Sequence, residues 1–306
     1  MVDKNVKDDY IIGIDFGTTN SSSAMFINNK LEIIRDKITG KGIIPSVVCY
    51  MENNEVLVGD VSKQKQIEYS QSTIFQSKRY IGHLFNDQEV LYDVVHKRIY
   101  VTITEDEKTK KAMYVLKIEK EKDKTKFPED VASEIIKYIK QSAEKHLNNI
   151  LHNQITIKNA VITVPTHFND YRIDTVIEAF YKADLNVVKV IKEPEVIGIA
   201  YGYFHKKKLT TILRIDIGGE IFGMSILKIK GDQYEFINSI GNSHLGGDDF
   251  EKLLRDYIVD QIEKENRFDL DFSKAKKHKN KKWVRVLLKI KEETSKVISE
   301  LSKQKM

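Results

Sequence analysis

The sequence predicts an α/β protein built from two related lobes, and three observations carry that prediction. One device occurs twice, about two hundred residues apart. Tyr10-Ile-Ile-Gly-Ile-Asp15-Phe-Gly17-Thr-Thr runs from an apolar strand through Asp-x-Gly towards a second strand, Ser23-Ala-Met-Phe-Ile27. Thr211-Ile-Leu-Arg-Ile-Asp216-Ile-Gly218-Gly219 repeats the pattern and leads into Met224-Ser-Ile-Leu-Lys-Ile229. Such a duplicated unit implies two lobes facing each other across a cleft. Between the copies, apolar strand-like runs alternate with helical periodicity, the rhythm of a parallel or mixed sheet with helices on its faces. Finally, 306 residues with 41% apolar and 31% charged content suffice for two domains, each with its own core.

The elements follow in order. Residues 10–50 read as strands broken by the Asn28-Asn29 turn and Pro45, and a helix is expected from about Ser62 to Lys78. Residues 87–126 alternate short apolar runs with charged clusters such as Glu105-Asp-Glu-Lys-Thr-Lys-Lys111, as in a peripheral sheet with solvated turns. Pro128-Glu-Asp opens an amphipathic helix with Val131, Ile135, Tyr138, Ile139 and Ala143 on one face. Proline and acids suit the first turn, where the helix dipole is positive. Ala160–Val164 is a strand, followed by a helix through Ile173, Val176, Ile177 and Phe180 and by the strand Val187–Ile191. A short helix carrying Val196, Ile197, Ile199 and Ala200 precedes the second Asp-x-Gly unit, and Tyr234–Ile237 pairs in a meander after it. Gly246-Gly-Asp-Asp-Phe250 opens a helix expected to turn Phe250, Leu253, Leu254, Tyr257 and Ile258 inward. In the last helix Trp283, Leu287, Ile290, Thr294, Val297 and Leu301 mark one face. The expected division is 1–186 for the first lobe with its peripheral subdomain and 187–306 for the second, incomplete at its C-terminal end.

Composition bounds the function. The net charge of +5 is spread among nearly as many acids as bases, so nucleic-acid binding is not indicated. The run Lys274-Ala-Lys-Lys-His-Lys-Asn-Lys-Lys282 reads as a solvated segment between helices. Cys49 stands alone in the apolar run Ser46–Tyr50, which points to packing in a strand and to a reducing, cytoplasmic setting. A charged N-terminus leads straight into the first strand, and no run is apolar for long enough to span a bilayer.

The chemistry lies in the repeated turns. Each offers a carboxylate at the end of a strand and a glycine turn whose backbone N–H groups can approach phosphate oxygens. Two carboxylates facing a polyphosphate suit magnesium, which prefers oxygen ligands. The residues by themselves therefore suggest a two-lobed binder of magnesium and a nucleotide.

Six segments extend this reading: Ile14-Asp-Phe-Gly-Thr-Thr-Asn20, Phe75-Gln-Ser-Lys-Arg-Tyr-Ile-Gly82, Val161-Ile-Thr-Val-Pro165 with Phe168-Asn-Asp170, Glu193-Pro194, Asp216-Ile-Gly-Gly219 and His244-Leu-Gly-Gly-Asp-Asp-Phe250. In this order they resemble the nucleotide-binding domain of the 70-kilodalton heat-shock chaperones, over nearly the whole chain. The resemblance implies the actin-like ATPase fold, a duplicated ribonuclease-H-like core with ATP or ADP and Mg2+ between its lobes. It assigns Gly17, Thr18, Thr19 and Asn20 to one phosphate loop and Gly218 and Gly219 to the other. Asp15 and Asp216 would hold the metal, Lys78 would stand near the γ-phosphate and the attacking water, and Glu193 would orient water or metal. Glu292, Lys296 and Ser299 fall where the family contacts adenosine. Co-chaperones and nucleotide-exchange factors are the partners it implies.

The departures carry equal weight. The family's second loop reads Asp-x-Gly-Gly-Gly-Thr-Phe-Asp, whereas here Glu220, Ile221 and Gly223 replace the third glycine, the threonine and the last aspartate. A side chain at 220 is expected to strain a left-handed backbone by about 1–2 kcal/mol, and its carboxylate to repel phosphate. Arg214 replaces an apolar residue in a strand expected to be covered on both faces, where a charge needs a partner. This altered loop makes weak or impaired ATP hydrolysis the expectation. The sequence also stops where the family continues into its closing elements and peptide-binding domain, so nucleotide affinity is expected to fall again and clamping of unfolded clients is not expected. Two rival readings stand beside this one: a non-catalytic protein that competes for co-chaperones or exchange factors, and a small-molecule kinase of the same superfamily, for which no catalytic base is visible.

Overall fold

The computed structural model describes residues 10–95, 101–119, 121–205, 210–230, 233–242, 244–265 and 281–303. Its centre is a mixed sheet. Strand β1 (Ile11–Asp15) pairs antiparallel with β2 (Asn20–Ile27), with Ile12 opposite Met25 and Asp15 opposite Ser22. Asn28 and Asn29, at φ 51° and 61°, supply the two left-handed residues of a tight hairpin into β3 (Lys30–Ile33). A short strand, β4 (Ile44–Pro45), pairs with the start of β2.

A small sheet follows, made of β5 (Val47–Tyr50), β6 (Val56–Val58) and, beyond helix α1 (Asp60–Lys65), β7 (Thr73–Phe75). The helix expected from Ser62 to Lys78 is therefore only its first turns. Ser72 and Thr73 both donate to the Tyr69 carbonyl, at 3.5 and 2.8 Å, and such hydroxyls favour turns over continued helix. Ile74 is then buried opposite Val48 in the sheet. Cys49 lies in the same strand, and burial pushes its thiol up to about 11, so it is packed and unreactive at neutral pH.

Helices α2 (Ser77–Tyr80) and α3 (Gln88–Val95) come next, and then the peripheral sheet β8 (Thr102–Glu105), β9 (Ala112–Leu116) and β10 (Lys124–Lys126). The peripheral sheet expected over 87–126 thus begins with a helix. Helix α4 (Pro128–Leu151) buries the expected face, including Val131, Ile135, Ile139 and Ala143. The Asp130 carboxylate accepts from the Phe127 N–H at 3.0 Å and caps its first turn.

Parallel strands β11 (Asn159–Val164) and β12 (Asn186–Lys192), joined through α5 (Asp170–Lys182), complete the central sheet in the order β12-β11-β1-β2-β3. Ile12, Ile14, Ile162 and Val164 share one core with residues of α4 and with Val176 and Phe180 of α5. Each such fully buried aliphatic contributes about 1.5–3 kcal/mol. Strand β12 hydrogen-bonds within this first sheet, whereas the expected division at 186/187 assigned it to the second lobe.

Helix α6 (Glu193–His205) leads to a second sheet, the meander β13 (Thr210–Ile217), β14 (Phe222–Lys230) and β15 (Gln233–Asn242). α6 packs on one face, near β14 and β15. On the other face Leu213, Ile215 and Ile217 are exposed among the described residues, so β13 is not the doubly covered strand expected. In α7 (Gly247–Lys264), Phe250, Leu253 and Tyr257 are also exposed, contrary to expectation. Val259 and Ile262 of α7 instead cluster with Val286, Leu287 and Ile290 of α8 (Lys281–Leu301). Thr294 is buried but Val297 and Leu301 are exposed, so the last helix uses only the first part of its apolar stripe. Residues 274–280 of the basic run and the Trp283 side chain lie outside the described residues. Among the described residues, no helix is long and apolar enough to cross a membrane.

Candidate functional site

The two copies of the Asp-x-Gly unit form matching antiparallel hairpins, one from β1 and β2, the other from β13 and β14. Each places an aspartate near the end of its first strand and a glycine turn just beyond. At Gly17 a Cβ would lie 2.1 Å from the Asn20 carbonyl oxygen, so only glycine lets this turn close. Ser46 braces it, with Oγ donating to the Gly17 oxygen at 2.8 Å and N–H donating to the Thr19 oxygen at 2.9 Å. The second turn closes through the Gly218 N–H, which donates to the Ile221 oxygen at 2.9 Å. The turns touch: a Cβ at Gly219 would come within 2.0 Å of Thr19 Oγ1. Around them opens a cleft of about 710 Å³, lined by residues 17–20, by 218 and 219, and by Asp15, Lys78, Glu193 and Asp216.

A chain of alternating charges runs through the cleft. Lys78 follows Gln76, which sits in the left-handed region at φ 60°, and is only 3% exposed. Its ammonium reaches Glu193 Oε1, at the first turn of α6, at 3.3 Å. Arg214 answers the question its sequence position raised. The β13 pleat turns Arg214 and Asp216 to the same side, and Arg214 Nη2 lies 2.5 Å from Asp216 Oδ2 and 3.8 Å from Glu193 Oε2. Asp15 Oδ1 accepts from Thr163 Oγ1 at 2.9 Å.

Glu220 does something other than what its position suggested. It is not among the positive-φ residues, so the expected left-handed strain is absent. Its side chain is 4% exposed, and Oε2 lies 3.2 Å from Arg79 Nη1. Arg79 also grips Asp93 through two bonds, at 2.6 and 3.2 Å, and the Tyr80 hydroxyl donates to the same carboxylate at 2.9 Å. The carboxylate of Glu220 is thus neutralised by a buried arginine of the first lobe, and the predicted repulsion of phosphate loses its basis. Burial pushes Glu220 up to about 7; Arg79 opposes the rise, while Asp248 and Asp93 add to it. Gln76 donates to Asp248 nearby, so the first lobe also contacts the first turn of α7.

Most of the residues named from sequence are therefore brought together: Asp15, residues 17–20, Lys78, Glu193, Asp216, Gly218 and Gly219 all line one cleft. Glu292, Lys296 and Ser299 do not line it. Lys296 pairs within α8, with Glu292 at 3.1 Å and Glu293 at 2.8 Å. Thr163 escaped notice in the sequence because its strand reads as a plain apolar run; only the alternation of Val161-Ile-Thr-Val164 hinted at a polar position facing the cleft.

The residues present fit a polyphosphate. Thr19 Oγ1 is buried without a hydrogen-bond partner inside a glycine turn, a donor position a phosphate oxygen would satisfy. They fit a tightly held magnesium less well. Of the two expected ligands, Asp216 is already held by a guanidinium.

Comparison with known proteins agrees with this geometry. A family model described as Hsp70 protein matches residues 11–306. The chaperone protein DnaK of Buchnera aphidicola subsp. Schizaphis graminum is 36% identical over 264 residues, covering 85% of this chain and 39% of that protein. The chaperone protein dnaK of Cyanidium caldarium is 34% identical over 266 residues, covering 87% of this chain and 40% of that relative. The chain thus spans about two fifths of the length of these curated relatives. With this match and the duplicated hairpins around one cleft, the chain belongs to the Hsp70 family and has that family's actin-like ATPase fold.

Proposed function

We propose that the chain binds ATP or ADP in the cleft between its two glycine turns and hydrolyses ATP poorly. The observation that carries this reading is the pair of matching hairpins, whose turns touch at Thr19 and Gly219 and whose aspartates line the same space. The turns supply N–H donors and the Thr19 hydroxyl to phosphate, and Lys78 supplies charge from a buried, pre-ordered position. Impaired hydrolysis rests on Glu193, which is shared between Lys78 and Arg214, and on Asp216, which is bound to Arg214. A carboxylate held by a guanidinium is a weak base and a poor orienter of water.

Titration calorimetry of the purified chain with ATP and with ADP tests the proposal. Saturable binding of both is expected. Lys78→Ala is expected to weaken ATP by about tenfold, the loss of one charged hydrogen bond, and ADP by less. A single-turnover assay on the saturated complex is expected to recover the ATP intact; rapid phosphate release would overturn the claim of impaired hydrolysis. Failure of the folded chain to bind either nucleotide would defeat the reading altogether. That outcome would favour a non-catalytic partner of co-chaperones or exchange factors, a role that the arginine-occupied carboxylates also support.

A further inference from the structure

We propose that Arg214 is the resident cation of this cleft, so that the site takes a nucleoside polyphosphate without a divalent metal. The inference rests on the nucleotide reading above and names how that site would meet its ligand.

The second strand pair carries two changes at one place. Arg214 and Asp216 share a face of β13, and Gly223 lies directly across the ladder from Asp216. The loop pattern that the rest of this segment resembles has an apolar residue at 214 and an aspartate at 223. Here a positive charge is gained and a negative one lost, at positions that touch: a Cβ at Gly223 would lie 3.8 Å from Arg214 Nη1. An aspartate at 223 would extend further into the space the guanidinium now fills. The two changes are therefore complementary, and together they make this corner of the cleft more cationic.

The guanidinium stands where a metal would be expected to act. It contacts Asp216 at 2.5 Å and lies 3.8 Å from Glu193, so it sets a positive charge beside two carboxylates that line the cleft. Its side chain is 12% exposed, which keeps the pair shielded from water. Nε is buried and without a hydrogen-bond partner, so one N–H of the planar group still lacks an acceptor. A phosphate oxygen is the acceptor that arginine suits best, and this cation does not dissociate from the site. Magnesium, by contrast, would have to displace the guanidinium from Asp216 and share a small volume with it, a like-charge contact in a partly desolvated site.

The test is a titration of the chain with ATP in excess magnesium and in EDTA, for the wild type and for Arg214→Met. The wild type is expected to bind with affinities that agree within about threefold in the two conditions. Arg214→Met is expected to lose about tenfold or more in EDTA and to recover in magnesium. Should Arg214→Met fail to fold, Arg214→Gln, which is polar and uncharged, is expected to behave in the same way. A wild type as dependent on magnesium as the variant would overturn the proposal. A second arm separates this from failure of the nucleotide reading: manganese titrated alone into the nucleotide-free chain and followed by electron paramagnetic resonance. Manganese is expected to bind Arg214→Met and not the wild type. Equal binding to both would sink the resident-cation role, whatever the nucleotide does.

Discussion

Arg79→Ala is expected to lower the unfolding free energy by about 3–5 kcal/mol, the loss typical of removing one partner from a buried ion pair. Arg79 holds Asp93, which is fully buried, and Glu220, which is nearly so. Its removal takes the counter-charge from both acids, leaving Asp93 the Tyr80 hydroxyl as a donor and pushing Glu220 towards its neutral form. Urea unfolding measures the loss. Replacing Glu220 by glycine in the same background is expected to restore part of it, because one of the two buried acids that lost Arg79 disappears. The pH dependence has a definite sign. In the folded wild type Glu220 is pushed up to about 7 from its ordinary 4.5, so its stabilising contribution is complete below 4.5 and is lost as pH rises to 7. Without Arg79 the group would titrate higher still. The gap between variant and wild type is therefore expected to widen above pH 7 and to narrow towards pH 5. A loss that is small, or that shrinks as pH rises, would show that Glu220 is not charged against Arg79.

Gly246→Ala is expected to destabilise the second lobe by about 3 kcal/mol or more, the upper range for forcing an atom into packed backbone. A Cβ there would meet Glu220 N and the Gly219 oxygen at 2.5 Å and Glu220 Cα at 2.6 Å, none of which can rotate away. The same junction is tied by the N–H groups of Gly247 and Asp248, which donate to the oxygens of Gly218 and Gly219 at 3.0 and 2.6 Å. Pushing α7 away from the turn therefore disturbs the phosphate side of the cleft directly. Thermal unfolding and nucleotide titration of the variant should fall together. Gly247→Ala is the control, since the nearest atom to its Cβ is 3.8 Å away. Equal damage from both substitutions would mean that the junction is not the cause.

Much of this was legible in the sequence, for identifiable reasons. The Asp-x-Gly repeat was readable because glycine turns and strand alternation are local signals, and the structure returns both copies as hairpins. Helix α4 was readable from its proline, first-turn acids and one apolar face. The helix expected over 62–78 failed because tertiary pairing of Thr73–Phe75 with β5 outweighs local tendency. Phe250, Leu253 and Tyr257 are exposed despite their helical spacing, because periodicity locates an apolar stripe without saying whether a partner covers it. Glu220 and Arg214 stand out in the sequence as charges at unexpected positions, but no local pattern names what they pair with. Arg79 lies 141 positions before Glu220, and no local pattern links them. Arg214 has its partner two residues away, but that pairing depends on the strand pleat, which turns both side chains to the face opposite the exposed Leu213, Ile215 and Ile217.

The central claim is that two turns from two lobes hold one ligand, and hydrogen–deuterium exchange with and without ATP tests it most directly. The amides of residues 17–20 and 218–221 are expected to slow together, at the same ATP concentration and to the same saturation point. Slowing in only one of the turns, or in neither while ATP binds elsewhere on the chain, would contradict the account.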